Sequence, residues 1–328
     1  MNPSTHGVSR RYALRQTFFF SAALALGSRA PFVRAEDIAA GGHQFLMIGD
    51  FGVGNKDQAA IAKAMQDYAT ALKFTPDGLF LVGDNFYGKF PEGLDSPRWK
   101  TDFEDMYPAK AFPGPCWAVL GNHDYDDEPV IKLKAELAFH KARPGTRWTM
   151  PAKWYRFEWP AENPTVTCLM LDSNYQNSVD QLTPEERAQQ LEWLKTELAK
   201  PRTTPWLVAM AHHPLYNNGH HGDRPDLIAE WGPLFQQHGV DFYFCGHDHD
   251  LQHLEFEGKR TSFVLSGGGG QKLHDVNVNG RGPFGEKVHG FTHLEVTKEK
   301  FTVRHLDGDR KQVHAFTKTP DGKIEFLS

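Results

Sequence analysis

Five short polar clusters hold the residues of this 328-residue chain that are best suited to bind metal ions, and each cluster directly follows an apolar run. Carboxylate, phenol, amide and imidazole side chains supply the oxygen and nitrogen donors that metal ions take in proteins. Each motif alone also fits a turn or a structural histidine, so only their recurrence in one context points to a shared site. In chain order the clusters contribute Asp50; Asp84 and Tyr87; Asn122, His123 and Asp124; His212 and His213; and His247, Asp248 and His249.

The apolar runs before the clusters predict the strands that position them. Short apolar runs that end in Gly-Asp, Gly-Asn or His-His pairs are typical of buried strands. In an α/β protein the loops that leave the carboxyl ends of strands converge on one crevice, so clusters far apart in sequence can build one site. The predicted strands lie at 44–48, 79–82, 116–120, 206–211 and 241–245.

Helix-like segments alternate with the strand-like runs, which predicts an α/β protein with helices packed on a sheet. These segments lie at 56–73, 97–107 and 128–141. A further helix begins at Thr183-Pro184, where Glu186 completes a capping box. The predicted inner face of that helix carries Leu191, Leu194 and Leu198.

Short alternating runs after residue 250 predict a second, mostly antiparallel sheet. No linker or repeat divides the chain after residue 35, so we expect one domain, 36–328, in which two sheets pack face to face with helices outside. The runs lie at 254–257, 261–266, 291–297, 301–306 and 313–319.

Residues 1–35 predict a twin-arginine signal peptide. They hold five arginines, no acidic residue and an apolar run at 18–27 that is short for a membrane span. Arg10 and Arg11 stand where a twin-arginine signal has its pair, and a cleavage site precedes Glu36. The prediction is a periplasmic or secreted protein that uses the twin-arginine export machinery and keeps no stable membrane anchor. An uncleaved anchor is the alternative.

Charge and cysteine content narrow the classes of function. Without the first 35 residues the net charge falls from −5 to −10, which disfavours a general nucleic-acid-binding role because phosphate backbones attract basic surfaces. Cys116, Cys168 and Cys245 each lie in an apolar run, which favours buried free thiols. One disulfide with a remaining thiol stays open as an alternative.

The order of the motifs GDFG, GDNFY, GNHD, HHP and GHDH resembles that of the calcineurin-like metallophosphoesterases. The second motif, with its tyrosine, is similar to that of the purple acid phosphatase branch, and in particular to that of its small, tartrate-resistant type. The resemblance covers about 44–270, including 147–159. It implies a four-layer α/β/β/α sandwich of two mixed sheets, with a metal site at the carboxyl ends of the strands.

The resemblance also implies a ligand set for two metal ions. One ion would be held by Asp50, Asp84, Tyr87 and His249, and the other by Asp84, Asn122, His212 and His247. Anionic oxygen ligands favour a hard, highly charged ion, so we expect Fe(III) in the first subsite and Fe(II), Zn or Mn in the second. Such a pair lowers the pKa of a bound water and clamps the attacking and leaving oxygens of a phosphate ester.

One departure from the motif pattern of the broad family supports the resemblance to the purple acid branch. Many of its members carry a histidine two residues after the first aspartate, where this chain has Gly52. In the purple acid branch the tyrosine of the second motif replaces that ligand, and Tyr87 stands at the matching position.

The resemblance places His123 and His221 on the substrate side, where they would stabilise charge or protonate the leaving group. Asp124 would orient His123 as its hydrogen-bonding partner. His220 and His213 are the neighbouring alternatives, and the closest choice is between His221 and His220. The glycine-rich run 266–272 is expected to be a flexible rim, and surface or packing roles are expected for the histidines outside the motifs, which are His6, His43, His140, His238, His253, His274, His289, His293, His305 and His314.

Together these observations predict a secreted binuclear phosphatase that hydrolyses phosphate monoesters with an acidic optimum. Its partner would be a phosphorylated small molecule or another phosphoester substrate. A phosphodiesterase or nucleotidase that uses the same metals is the alternative within enzymes. A metal-binding module without hydrolysis is the alternative from another class, and the two substrate-side histidines count against it.

Overall fold

The computed structural model describes residues 33–126, 129–175 and 182–327, so residues 1–32 of the predicted signal peptide lie outside the described part. Among the described residues, no helix combines the length and apolarity needed to cross a membrane. In chain order the main elements are β1 (His43–Ile48), α1 (Lys56–Leu72), β2 (Gly78–Leu81), β3 (Cys116–Ala118), α2 (Pro129–Ala142), β4 (Trp148–Thr149), β5 (Tyr155–Trp159), β6 (Val166–Met170), α3 (Pro184–Leu198), β7 (Trp206–Met210), α4 (Pro225–His238), β8 (Phe242–Cys245), β9 (Leu251–Leu254), β10 (Ser262–Ser266), β11 (Phe284–Glu286), β12 (Gly290–Val296), β13 (Phe301–Asp307), β14 (Gln312–Lys318) and β15 (Ile324–Phe326).

The strands form two mixed sheets. The first has the order β15-β14-β13-β12-β1-β2-β3-β4, and its four strands β1 to β4 run parallel while β12 to β15 add antiparallel neighbours. The second has the order β11-β9-β10-β8-β7-β6-β5, with β6, β7, β8 and β10 parallel and β5, β9 and β11 antiparallel. Each sheet therefore has a parallel part, whose strand ends point the same way.

Aromatic side chains fill the space between the two sheets. Trp117 on β3 stacks on Phe157 on β5 with ring centres 4.4 Å apart. Phe242 on β8 lies 4.4 Å from Phe301 on β13. Large buried rings of this kind dominate the energy of a core, so these contacts hold the sheets face to face.

The helices cover the outer faces of both sheets. Tyr68 of α1 packs at 5.6 Å on Phe291 of the first sheet. On the second sheet, Tyr243 points outward and contacts Phe235 of α4 at 5.8 Å, and Leu194 of α3 belongs to the same buried cluster. The four-layer arrangement predicted from the sequence is confirmed.

Local predictions for α3 and for the cysteines agree with the structure. Thr183 Oγ1 accepts from the backbone N–H of Glu186 at 3.1 Å, and the Glu186 carboxylate accepts from the Thr183 N–H, which completes the capping box. Leu194 and Leu198 are buried, whereas Leu191 is only partly covered. Buried free thiols are found at Cys116, Cys168 and Cys245, as predicted.

The prediction of a separate antiparallel sheet after residue 250 is wrong. The strands of that region divide between both sheets: β9, β10 and β11 join β8, while β12 pairs with β1 and begins an antiparallel extension of the first sheet. The strand expected at 254–257 instead ends at Leu254. Alternating polarity indicates that a segment is a strand, but it does not specify which free sheet edge that strand joins.

The loops after β1 and β2 cross in direct contact at Gly52. A Cβ atom on Gly52 would lie 1.8 Å from the backbone oxygen of Asn85. Gly52 O accepts from the Tyr87 N–H at 2.8 Å, and the Gly52 N–H donates to Asp84 O at 3.3 Å. Glycine is therefore required by the close approach of the two loops, and a histidine side chain cannot occupy this position.

Buried histidines lie between the outer strands of both sheets. His253 Nδ1 is 2.9 Å from His314 Nε2, and His305 Nδ1 is 2.8 Å from the hydroxyl of Thr292. Burial lowers the pKa of His305 to about 3 and the pKa values of His253 and His314 well below the usual range. These rings are neutral packing residues, as predicted for them.

We expect Gly52→Ala to lower the free energy of unfolding by about 3 kcal/mol, because the added Cβ must push two loop backbones apart. Gly232→Ala is the matched control, since a Cβ at Gly232 within α4 meets no atom outside its own helix within 4 Å. That change should alter stability by less than about 1 kcal/mol, because the helix propensity gained by alanine is opposed by the contact of its Cβ with the Pro233 ring. Urea unfolding measures both, and an unchanged midpoint for Gly52→Ala would contradict the loop contact.

We expect the protein to lose stability as pH falls from 6.5, partly because of His305. Its folded pKa lies below its unfolded value, so the unfolded state binds the extra proton, and the stabilising contribution present above pH 6.5 is lost toward pH 3. Between pH 7 and pH 5, His305→Gln should reduce the loss of unfolding free energy by about 2 kcal/mol relative to wild type. Urea titrations at the two pH values measure this, and equal losses in both proteins would contradict it.

Candidate metal centre

The parallel strands bring the five predicted clusters together at their carboxyl ends. Asp50, Asp84 and Asn122 follow β1, β2 and β3, which are neighbours in the first sheet. His212 follows β7 and His247 follows β8, which are neighbours in the second. The packing of the two sheets places these two sets of loops against each other.

Asp50, Asp84, Tyr87 and His249 form a first group of donor atoms. The Tyr87 hydroxyl donates to Asp84 Oδ2 at 2.8 Å and lies 3.3 Å from both Asp50 Oδ1 and His249 Nε2. His249 Nε2 lies 3.6 Å from Asp50 Oδ1. The phenol of Tyr87 therefore lies among the three residues with which the family resemblance groups it.

Asp84, Asn122, His212 and His247 form a second group. Asn122 Oδ1 lies 3.1 Å from His212 Nε2 and 3.0 Å from His247 Nδ1, and His212 Nε2 lies 3.4 Å from Asp84 Oδ1. Asp84 thus turns Oδ2 toward the first group and Oδ1 toward the second. The structure brings all seven predicted ligands together, with Asp84 between the two groups.

The hydrogen bonds of two histidines show that the donor set fits metal ions. His212 Nδ1 lies 2.9 Å from the carbonyl of Val82, and His249 Nδ1 lies 2.7 Å from that of Lys272. A carbonyl only accepts, so both Nδ1 atoms carry a hydrogen, and Nε2 is the atom whose lone pair each ring can offer to a metal ion. These lone pairs face Asn122 Oδ1 and the oxygens of the first group. Lone pairs about 3 Å apart around one point suit a metal ion at about 2.1 Å from each donor.

The electrostatics of the site also favour cations. Burial raises the pKa of Asp50 and of the Tyr87 phenol, and nearby Asp84 raises both further. Burial also raises the pKa of Asp84, but His212 and His123 outweigh it and lower that pKa below its usual value. Burial lowers the pKa of His249 to about 4, so its ring is neutral at pH 7. Asp50 and Tyr87 can therefore bind as anions only if positive charge is present in addition to that of the neighbouring histidines, and a metal ion would supply it.

The backbone of the site is held in left-handed conformations. Asp50, Asp84 and His247 have φ values of 58°, 52° and 75°. Such conformations cost free energy for residues other than glycine and concentrate at functional sites. The backbone N–H of His247 donates to Asp50 Oδ2 at 2.9 Å, which helps to fix both turns.

His123 lies at the edge of the site, with its side chain 37% exposed. Its backbone N–H donates to Asp84 Oδ1 at 2.8 Å, and its ring lies 4.4 Å from that of Tyr87. The partner of its Nδ1 is Asp126 Oδ2 at 3.0 Å, not Asp124. The prediction that Asp124 orients His123 is therefore wrong.

Asp124 is buried below the site and holds two loops. Its carboxylate accepts from the backbone N–H groups of Gly121 at 2.8 Å and Phe86 at 3.1 Å, and from Asn85 Nδ2 at 3.0 Å. Residues His123–Tyr125 form a 3₁₀ turn, in which side chains three positions apart share a face. Asp126 therefore returns to the face of His123, whereas Asp124 turns inward.

His221, and not its neighbour His220, faces the second group. Its ring centre lies 4.2 Å from that of His247, and its Nδ1 donates to Asp248 Oδ1 at 2.9 Å. The side chain is 39% exposed. The other neighbouring alternative, His213, is buried beneath the site, with Nδ1 2.9 Å from the hydroxyl of Ser173.

Asp248, for which no role was predicted, and His274 are also site residues, so the surface or packing role predicted for His274 is wrong. Asp248 Oδ1 accepts from His221 Nδ1 and from His274 Nδ1, both at 2.9 Å, and the His274 ring stacks on His249 at 3.9 Å. Burial raises the pKa of Asp248, but the hydrogen bonds from His221 and His274 outweigh burial and lower that pKa below its usual value. The carboxylate therefore stays ionised. The position of Asp248 between two predicted ligands is a sequence signal for it, whereas His274 has none.

The glycine-rich run is a packed layer, so the prediction of a flexible rim is wrong. Its residues 266–270 are buried against the loops after β1 and β8. A Cβ atom on Gly267 would lie 1.9 Å from Asp248 O, and one on Gly269 would lie 2.3 Å from Gly49 O. Absent side chains let this strand end support the backbone that carries the donor groups.

Comparison with known proteins supports the same assignment at the level of sequence. Residues 43–251 match the family described as calcineurin-like phosphoesterase. Tartrate-resistant acid phosphatase type 5 of Homo sapiens is 32% identical over 296 residues, which cover 82% of this chain and 89% of that protein. Purple acid phosphatase 7 of Arabidopsis thaliana is 28% identical, covering 84% of this chain and 85% of that protein.

Two solved structures share the fold at identities too low to show more than the fold. One is GAP50, described as the anchor in the inner membrane complex of Plasmodium, with a TM-score of 0.71, 20% identity and coverage of 88% of this chain and 89% of that one. The other is a purple acid phosphatase from yellow lupin seeds, with a TM-score of 0.64, 17% identity and coverage of 88% and 55%. The motifs, the site geometry and the family match agree, and this chain belongs to the calcineurin-like phosphoesterase family, in its purple acid phosphatase branch.

Proposed function

We propose that this protein is a binuclear metal-dependent phosphatase that hydrolyses phosphate monoesters and has an acidic optimum. The observation that carries the proposal is the division of one carboxylate, Asp84, between two groups of donor atoms. A carboxylate with one oxygen in each group is what a pair of neighbouring metal ions requires. Two half-exposed histidines at the edge of the same site supply groups that can meet a substrate.

The first group would hold Fe(III) and the second a divalent Fe, Zn or Mn ion. The first group contains two oxygen anions besides the shared Asp84, namely Asp50 and the phenolate of Tyr87, whereas the second adds only neutral donors. Hard anionic donors select the more highly charged ion. When bound, the metal pair supplies Lewis acidity that activates water and neutralises charge on the phosphoryl group.

His123 and His221 would act on the substrate from opposite sides of the site. Each ring has its Nδ1 against a carboxylate, His123 on Asp126 at 3.0 Å and His221 on Asp248 at 2.9 Å. A carboxylate partner fixes the Nδ1–H tautomer and leaves Nε2 to interact with the substrate. When the rings are protonated, each can donate a hydrogen bond from Nε2 to a phosphoryl oxygen, and His221 can pass its Nε2 proton to the leaving group.

Asp126 and Asp248 are therefore proposed as orienting groups, in place of the role first expected for Asp124. The buried Asp124 instead stabilises the loop that carries the Asp84 and Tyr87 donors through Phe86 and Asn85. Loss of Asp124 would act through the position of that loop.

The predicted twin-arginine signal remains part of the proposal. A route that exports folded proteins suits an enzyme whose metal ions are bound before export. Export to the periplasm or beyond would be shown by an N-terminus near Glu36 in protein recovered outside the cytoplasm.

The purified protein should be coloured, because Fe(III) bound by phenolate absorbs visible light, and Tyr87→Phe should remove the absorption band. Elemental analysis and a visible spectrum measure this. Tyr107→Phe is the matched control, since the Tyr107 hydroxyl is buried without a hydrogen-bond partner among the described residues. A Tyr87→Phe protein that kept both band and iron would contradict the ligand assignment.

His221→Asn should lower kcat for an aryl phosphate monoester by about 100-fold or more, because a positioned general acid contributes 10² to 10⁴. His220→Asn is the matched control and should stay within about twofold of wild type, since exposed His220 lies beside His274 and not beside the donor groups.

The same assays decide between the candidate functions. Metal-replete wild type should turn over the monoester with a higher kcat/KM than a bis-aryl phosphate diester. A preference for the diester would favour the phosphodiesterase alternative. Absence of turnover across pH 4 to 9 would favour a metal-binding module.

A further inference from the structure

Arg98 lies between the two loops that carry the first group of donor atoms, and its guanidinium contacts both. Nη2 donates to the backbone oxygen of Gly52 at 2.8 Å. Nη1 donates to the backbone oxygens of Tyr87 at 2.6 Å and Lys89 at 3.0 Å. One side chain thus joins the loop after β1, which carries Asp50, to the loop after β2.

These contacts fix the backbone of Tyr87 at both of its polar groups. The Tyr87 N–H donates to Gly52 O, and the Tyr87 carbonyl accepts from Arg98. With N–H and C=O both held, the direction of the side chain from its Cα is set, which places the hydroxyl among Asp50, Asp84 and His249. Arg98 itself makes no contact with the donor atoms, so any influence on them passes through the backbone.

Arg98 is in turn held by a buried acid. Its Nε donates to Asp102, whose side chain is only 9% exposed, while that of Arg98 is 18% exposed. Asp102 lies on the π-helical turn Trp99–Glu104, a widened turn of a kind that recurs at functional sites. Gln58 at the start of α1 donates to the backbone oxygen of Asp102 at 2.7 Å and accepts from the Gly54 N–H at 2.7 Å. Asp102, itself held through Gln58, therefore fixes the position of the guanidinium.

We propose that Arg98 is a positioning residue that holds the Tyr87 phenol at the first metal subsite by tying the backbones of Tyr87 and Gly52 together. The inference rests on the proposed function only in taking Tyr87 to be a metal ligand. Four donor contacts from one planar group require arginine, because a lysine ammonium offers a single point of charge and cannot span the acceptors. Loss of the outer hydrogen bonds of a metal ligand lowers metal affinity by 10- to 100-fold in other proteins, which sets the size of the expected effect.

The test is a double-mutant cycle on metal release. Wild type, Arg98→Lys, Tyr87→Phe and the double variant are loaded with metal, their metal content is measured, and the rate of release to excess chelator is followed. Arg98→Lys should release metal about tenfold faster than wild type. In the Tyr87→Phe background the same change should alter the rate less than about twofold, because the group that Arg98 positions is already gone.

Arg147→Lys is the control for the loss of a buried arginine. The Arg147 guanidinium is also buried, 8% exposed, and donates to the Phe112 carbonyl and to Glu104 rather than to a loop of the metal site. It should lower the thermal midpoint as Arg98→Lys does while leaving the release rate within about twofold of wild type.

The outcomes separate the two hypotheses. If Tyr87→Phe releases metal at the wild-type rate, the ligand assignment of Tyr87 fails, and the inference fails with it. If Tyr87→Phe accelerates release and Arg98→Lys accelerates it by the same factor in both backgrounds, Arg98 acts independently of Tyr87 and the inference alone is overturned. An Arg147→Lys protein that released metal as fast as Arg98→Lys would also overturn it, because the effect would then be general destabilisation.

Discussion

Asp50 and Asp84 place two carboxylates side by side in the interior of the protein, 0% and 1% exposed, and this arrangement constrains the rest of the site. Buried negative charges are costly unless a positive charge or hydrogen bonds compensate them. Within the described part of the chain, the ion-pair partners of both carboxylates are histidines rather than lysine or arginine. Two cations bound between the donor groups would supply further compensation.

The surrounding structure keeps these carboxylates in place. Parallel strands from two packed sheets deliver the loops to one edge, and the glycines of the run 266–270 let backbone pass directly behind Asp50 and Asp248. Left-handed conformations at Asp50 and Asp84 turn both side chains toward one point. The extensive aromatic packing between the sheets offsets the free-energy cost of these backbone conformations. The scaffold thus holds Asp50 in a buried position so close to Asp84 that burial and the Asp84 charge both raise the pKa of Asp50.

Much of this site was predictable because its signals are local in sequence. Each donor directly follows an apolar run, and the absence of a histidine at Gly52 together with the presence of Tyr87 could be read from two short motifs. The structure adds the physical reason, since the two positions touch. The helix beginning at Thr183 was likewise predictable from its capping residues.

The predictions that failed concern contacts between segments distant along the chain, or the direction of a side chain in an irregular turn. Asp126 replaces Asp124 beside His123 because of a 3₁₀ turn that the motif does not reveal. The strands after residue 250 pair with the free edges of both sheets, and the sequence of a strand does not specify which edge it joins. Arg98 and His274 act through backbone carbonyls and a shared carboxylate, and neither contact leaves a periodicity or motif in the sequence.

The fold alone does not decide between catalysis and binding, because a solved structure with this fold is described as an anchor. The distribution of exposure within the site does distinguish them. The ligand-like side chains of His212 and His249 are 0% and 11% exposed, whereas those of His123 and His221 are 37% and 39% exposed and each has its own carboxylate partner. A site that only binds metal gains nothing from two oriented imidazoles open to solvent. A site that must meet a phosphoryl group and protonate what leaves it requires them.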